Sequence, residues 1–216
     1  MHIRITAMIV ALATSLASSG PLWASEAEAA GLEPVKSRDF DTLLQSPEAA
    51  WGEFQAVYVA RPEVAFRENW QRNQNRYDAD LVKDRDVERI RNDVADLVQE
   101  LMRKRFEDEG WRLAESPGDG VLVVQPNIVD LDVTAPDVPS TGLREVYSDS
   151  AGAMTLDVTL RDGLTGAPLL HAIDHREDPR EPGLVWRKRP NNLHLARMTV
   201  RGWAKDLVDL VGDRSS

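Results

Sequence analysis

The segment His171-Ala172-Ile173-Asp174-His175 gathers residue types that ligate metals: two imidazoles four positions apart with a carboxylate between them. On a helix, that spacing places both rings on one face, where they could share a zinc ion. On a strand, the same four residues cover about 13 Å, far beyond the reach of ligand bonds of about 2 Å. Asp174 and His175, as neighbours, then point to opposite sides of the sheet. The segment reads as a strand, so the expectation is ordinary strand or surface residues. Asp174 and His175 are the metal candidates if it coils instead.

Asp130 and Asp132 lie two apart and, with Asp157, could form an acidic cluster suited to calcium or to carboxylate-assisted hydrolysis. The apolar residues interleaved with them, Val129, Leu131 and Val133, favour a plainer reading, the wet face of a one-sided sheet. Nucleophile signatures are missing: there is no Gly-x-Ser-x-Gly elbow and no cysteine. Gly163 and Gly166 precede a strand rather than a helix, so they are not a phosphate-binding loop. Trp70 and Trp186 sit in polar stretches, where a large aromatic either folds back as a plug or marks a contact surface. They are the candidate partner contacts. No catalytic residue, metal or cofactor is expected.

The elements that position these residues centre on Ala151 to Asp174. Met154, Leu156, Val158 and Leu160 alternate with Thr155, Asp157, Thr159 and Arg161, predicting a strand with one apolar face. Asp162-Gly163-Leu164-Thr165-Gly166 supplies turn chemistry, and Leu169 to Ile173 predicts the return strand. Further strands are predicted at Gln55 to Ala60, Val64 to Phe66, Trp111 to Ala114 and Val121 to Val133. Val121 to Val124 is apolar on both faces and therefore central. An amphipathic helix is predicted from Asp84 or Asp86 to Glu109, with Val87, Ile90, Val94, Leu97, Val98, Leu101, Met102 and Phe106 along one side and Gly110 as its stop. A terminal helix begins near Asn192, with Ala196, Val200, Trp203, Ala204, Leu207 and Val211 along its stripe and Gly212 as its stop. Trp70 to Asp80, Thr134 to Gly152 and His175 to Asn192 read as loops. The fold class is α+β: a two-layer sandwich of a mostly antiparallel sheet of about five strands, with two amphipathic helices on one face.

The chain has 216 residues, 42% hydrophobic and 29% charged, which suits one globular domain. Its start argues for export. Arg4 precedes an uninterrupted apolar or small run from Ile5 to Ala17, and Gly20-Pro21 then breaks the segment before small residues. Residues 1–24 are read as a signal peptide, 25–50 as an irregular tether and 51–213 as a single α+β domain. The run falls short of the roughly 20 residues that span a bilayer, and no later segment spans. The absence of cysteine excludes a disulfide framework and a lipid-anchored cysteine. Formal charge is −10, and losing Arg4 with the leader makes it −11, which argues against nucleic acid as a partner.

The order and spacing of several motifs resemble a bacterial envelope family known as domain of unknown function 3313. The motifs are Val57-Tyr58-Val59 before Val64-Ala65-Phe66, the helix ending in Phe106, Asp130-Leu131, Asp162-Gly163-Leu164-Thr165-Gly166 before Leu169, Asp174-His175-Arg176, and Trp203-Ala204 before Leu207. The resemblance covers nearly the whole chain after the leader. It implies an exported protein, many members being lipoproteins, and implies no established activity. Lacking a lipobox cysteine, this chain is expected to be periplasmic or secreted. The leading expectation is a non-enzymatic accessory or binding protein of the cell envelope whose partner is another envelope protein. The alternatives are a metal-dependent or carboxylate-using hydrolase, built on Asp130, Asp132, Asp157 or the His171 to His175 segment, and a binder of lipid or a small apolar ligand.

Overall fold

The computed structural model describes residues 30–76, 81–133, 146–148, 152–177, 185–187 and 189–215. The hairpin at its centre is β8 (Gly152–Asp162) and β9 (Pro168–Glu177). Strict alternation sets its register: Leu156, Val158 and Leu160 lie opposite Asp174, Ala172 and Leu170 on the core side. The turn is held by one carboxylate. Asp162 Oδ1 accepts from the backbone N–H of Leu164 (2.9 Å) and Thr165 (2.6 Å) and from the Thr165 hydroxyl (2.9 Å). Chiefly through the Thr165 N–H, and against partial burial, these bonds hold the Asp162 carboxyl below its ordinary pKa. Gly163 is required for space, because a Cβ there would stand 2.5 Å from the Val121 carbonyl oxygen.

The other flank of β8 pairs antiparallel with β6 (Val121–Val133), the longest strand, in which Val124 lies opposite Leu160 and Ile128 opposite Leu156. Alternation in β6 breaks near its end. Asp130 takes φ of 53° and the register slips between Val129 and Asp132, a bulge that returns Leu131 to the core three residues after Ile128. On its far side β6 pairs in parallel with two short strands placed end to end, β3 (Ala56–Val59) and β4 (Val64–Phe66). The Arg61-Pro62 break between them was legible as a proline interruption. Parallel pairing needs a crossover, and the intervening helices supply it. β5 (Arg112–Leu113) closes that edge on β3.

The segment read as an irregular tether is partly ordered. β1 (Glu33–Pro34) pairs with β2 (Thr42–Gln45), and β2 adds to the free edge of β9. Leu43 and Phe40 dock in the core, so burial of these two side chains offsets the entropy of ordering the strap. The main sheet thus has eight strands, ordered β1-β2-β9-β8-β6-β3-β5 with β4 also on β6, rather than about five. The extra ones are strands of two to four residues, too short to carry a periodic signal. A separate two-stranded ribbon pairs β7 (Val146–Ser148) with β10 (Val185–Arg187), both inside stretches read as loops.

Among the described residues three α-helices complete the α+β architecture. α1 (Trp70–Gln74) is a single turn or so, inside a stretch whose composition predicts a loop. α2 (Asp84–Asp108) has the predicted stripe, with Ile90, Leu97, Val98, Met102 and Phe106 buried. The Asp86 side chain accepts from the Lys83 N–H at 3.1 Å at its start, and Gly110 takes φ of 88° beyond its end. In its last turn the Lys104 ammonium bonds Asp108, which raises the Lys104 pKa. α3 (Arg189–Ser215) starts earlier than Asn192 and runs through Gly212 instead of stopping there, since a lone glycine costs a helix only about 1 kcal/mol. Val200, Trp203, Ala204, Leu207 and Val211 on α3 join Val98, Met102 and Phe106 on α2 and the inner residues of β6, β8 and β9 in one core.

Candidate functional site

The histidines of β9 are separated as an extended segment requires. His171 Nε2 lies 2.8 Å from Asp157 Oδ1 across the hairpin, and His175 Nδ1 lies 2.9 Å from the Thr155 hydroxyl. Asp174 points the other way, into the core, while His175 is exposed. Among the described residues no group of three or more acidic or imidazole side chains could hold a metal ion. The acidic trio is equally dispersed. Asp132 is bound to Arg67 at 3.1 Å, and Asp157 to His171. Asp132 lies opposite Ala153, four residues or about 13 Å along β8 from Asp157. Thr155 and His175 form a hydroxyl–imidazole pair, the outline of a nucleophile and base. Thr155 is buried, however, Asp157 is engaged by the other histidine, and Asp41 accepts from the His175 backbone N–H at 2.9 Å.

Asp174 belongs to a network that sequence reading missed. Its Oδ2 accepts from Trp203 Nε1 (2.7 Å) and Arg176 Nε (2.7 Å), while Arg176 Nη2 donates to Asp206 (2.8 Å). The guanidinium also lies 5.4 Å from the centre of the Trp203 ring. Burial lowers the Arg176 pKa, but its bonds to Asp206 and Asp174 outweigh that and hold it above the ordinary value. Gly202 leaves the space that the guanidinium fills. The arrangement ties β9 to α3, and both donors on Asp174 come from within the fold, Trp203 and Arg176.

The feature with binding character lies at the opposite edge of the sheet, an open groove of about 910 Å³ between β4, α1 and the first half of α2. Four arginines line it, Arg61, Arg67, Arg72 and Arg91, against one acid, Glu63. Guanidinium groups thus dominate its lining on a chain whose net charge is −10, although Arg61, Arg67 and Arg91 each pair with a carboxylate just outside it, Asp96, Asp132 and Glu88. The folding of β4 and α1 explains the shape. Phe66 stacks on Trp70 with centroids 4.3 Å apart, and Trp70 Nε1 donates to the Val133 carbonyl at 3.1 Å. α1 is clamped to the start of α2 by Asn75, which bonds both the N–H (2.7 Å) and the carbonyl (3.0 Å) of Val82, and by Gln71 bound to Asp84 (2.9 Å). Along the wall, Arg91 Nε donates to the Val64 carbonyl at 3.0 Å, and Arg61 bonds Asp96 and Asn92 of α2.

The family model described as "Protein of unknown function (DUF3313)" matches residues 25–207. The chain belongs to this family. No curated protein matches the DUF3313 chain. Among solved structures it is similar to a PelC dodecamer from Paraburkholderia phytofirmans, at 11% identity over 74% of this chain and 92% of that one, TM-score 0.37. It is also similar to a minor lipoprotein from Acinetobacter baumannii, at 10% identity over 74% of this chain and 95% of that one, TM-score 0.35. A PDZ domain protein from Parabacteroides distasonis matches at 8% identity over 74% of this chain and 33% of that one, TM-score 0.38. Likenesses at this level carry no functional argument.

Of the two tryptophans proposed as contacts, Trp70 of the DUF3313 protein is buried to 4% exposure and is therefore a plug under the groove rather than a presented surface. Trp186 lies on β10 opposite Tyr147, not in a loop; its side chain lies outside the described residues. The arginines of the groove went unremarked because they are scattered over β3-to-β4, α1 and α2, and only the fold assembles them. The one legible signal was the polar run around Trp70, rich in Arg and Asn.

Proposed function

We propose that this DUF3313 protein is an exported, non-enzymatic binding protein of the bacterial cell envelope, and that the groove between β4 and α2 is where it receives its partner. The carrying observation is the groove itself, an open concavity with four arginines and one glutamate on an acidic chain. Guanidinium groups lining a concave site and held only in exposed ion pairs can exchange those partners for the carboxylates of an incoming molecule. The hydrolase alternative has less support, because Asp132, Asp157, His171, Asp174 and His175 are each engaged in separate bonds. Binding of lipid between sheet and helices has less support too, because Met102, Phe106, Trp203 and Leu207 fill that layer.

Export rests on the apolar run from Ile5 to Ala17 and on a family match that begins at Ser25, the residue following the expected cleavage. The experiment places a photoreactive residue at Asn92, on the groove, or at Leu164, the 68% exposed hairpin tip, in the full chain produced in cells. The processed protein is expected to start at Ser25 by mass spectrometry, and a discrete adduct is expected from position 92 but not from 164. Equal or no adducts at the two positions would remove the groove as the site, and an intact leader would remove the assignment to the periplasm.

A further inference from the structure

We infer that the occupant of the groove is an extended, acidic polypeptide segment of a partner protein, laid along the outer edge of β4 with its carboxylates on the arginine rim. This rests on the binding reading above and names its partner's chemistry. Two independent properties of the groove meet in it, charge and a strand edge that has no second strand neighbour among the described residues.

The charge is available for exchange. Arg61, Arg67 and Arg91 are paired with Asp96, Asp132 and Glu88, but those carboxylates are 64%, 30% and 58% exposed. Exposed pairs of this kind are worth at most about 1 kcal/mol, so incoming carboxylates replace the resident ones at little cost. Arg72, on α1, is exposed beside them. Guanidinium groups favour carboxylates because the planar fork matches both oxygens.

The edge gives the partner its backbone. Among the described residues β4 has one strand neighbour, β6, and its other side faces the groove. There a hydrogen bond that a strand would provide comes from a helix side chain: Arg91 Nε donates to the Val64 carbonyl at 3.0 Å. An extended peptide supplies main-chain N–H groups to such carbonyls, and a displaced Arg91 is then free to meet a carboxylate. The three residues of β4 span about 10 Å, which matches a partner segment of about three to five residues. An acidic polysaccharide satisfies the rim but offers no amide row for the edge, so the two properties together favour a peptide.

The test titrates the processed chain with a dye-labelled peptide of about five alternating Glu and Val residues, read by fluorescence anisotropy. The same peptide methylated at its backbone nitrogens, a Lys/Val counterpart and polygalacturonate serve as comparators. Saturable binding of the acidic peptide is expected, weakened about tenfold or more by Arg61→Glu with Arg72→Glu and by added salt. Both residues are exposed, and an unchanged thermal midpoint checks that the double variant is folded. The methylated and Lys/Val peptides are expected to lose binding to a similar degree. Equal binding of polygalacturonate or of the methylated peptide, or indifference to charge reversal, would overturn the inference. No binding by any probe, with a groove adduct still formed in cells, overturns the acidic peptide and leaves the binding reading standing. Loss of both ends both.

Discussion

Replacing Asp174 by Ala separates a structural carboxylate from a metal ligand. Asp174 is 7% exposed and accepts from two donors. Trp203 is fully buried, so its indole N–H would be left without an acceptor, at about 1–3 kcal/mol. Arg176 is 30% exposed and keeps Asp206, so its share is smaller, about 0.5–1 kcal/mol after solvent screening. Removing a buried carboxylate also returns some desolvation energy, which places the net loss at about 1.5–3.5 kcal/mol. Asp174→Asn keeps an oxygen for the indole and is expected to cost about 1 kcal/mol. Urea unfolding followed by circular dichroism measures both, with an unchanged m-value expected. Chelator is expected to leave the wild-type midpoint in place. A loss below about 0.5 kcal/mol for Asp174→Ala would refute the network as the tie between β9 and α3. A wild-type midpoint that fell with chelator, and no longer did so in Asp174→Asn, would restore the metal reading.

Two further outcomes follow from the same geometry. Asp162→Ala removes three hydrogen bonds from the hairpin turn and is expected to cost about 1–3 kcal/mol at neutral pH. Because the folded Asp162 pKa lies below the unfolded one, this stabilisation is present above the ordinary carboxylate range and fades as pH falls through the lowered value. The wild-type and variant stability curves should therefore converge on acidification. Trp70→Ala, which empties the plug beneath the groove, is expected to cost about 3–5 kcal/mol by urea unfolding, whereas Trp70→Phe keeps the stack on Phe66 and loses mainly the bond to Val133. A neutral Trp70→Ala would mean that the indole is presented to a partner after all.

Much of the fold was legible where a period runs long enough. The alternation of β8 and the three- and four-residue steps of α2 fixed the hairpin, the principal helix and the face each buries. Family membership was legible too, through the order of loose motifs. What escaped was short or non-local. β2, β7 and β10 owe their pairing to neighbours far off in sequence, β1 is only two residues long, and α1 is held by Asn75 and Gln71 reaching to Val82 and Asp84. Asp174 read as a surface residue because its partners, Trp203 and Asp206, arrive from the end of the chain. The groove escaped for the same reason, since an arginine has no periodicity and becomes a site only by its neighbours. The spacing of His171 and His175, by contrast, was decided by strand geometry alone, and each imidazole has its own partner.

Hydrogen exchange on the partner complex recovered from cells tests the central claim most directly. The account predicts new amide protection over Val64 to Arg72 and Val87 to Ala95, where β4, α1 and α2 enclose the groove, with little change elsewhere. Protection confined to His171 through His175 and the neighbouring face of β8 would contradict it, moving function to the histidine-bearing side of the sheet.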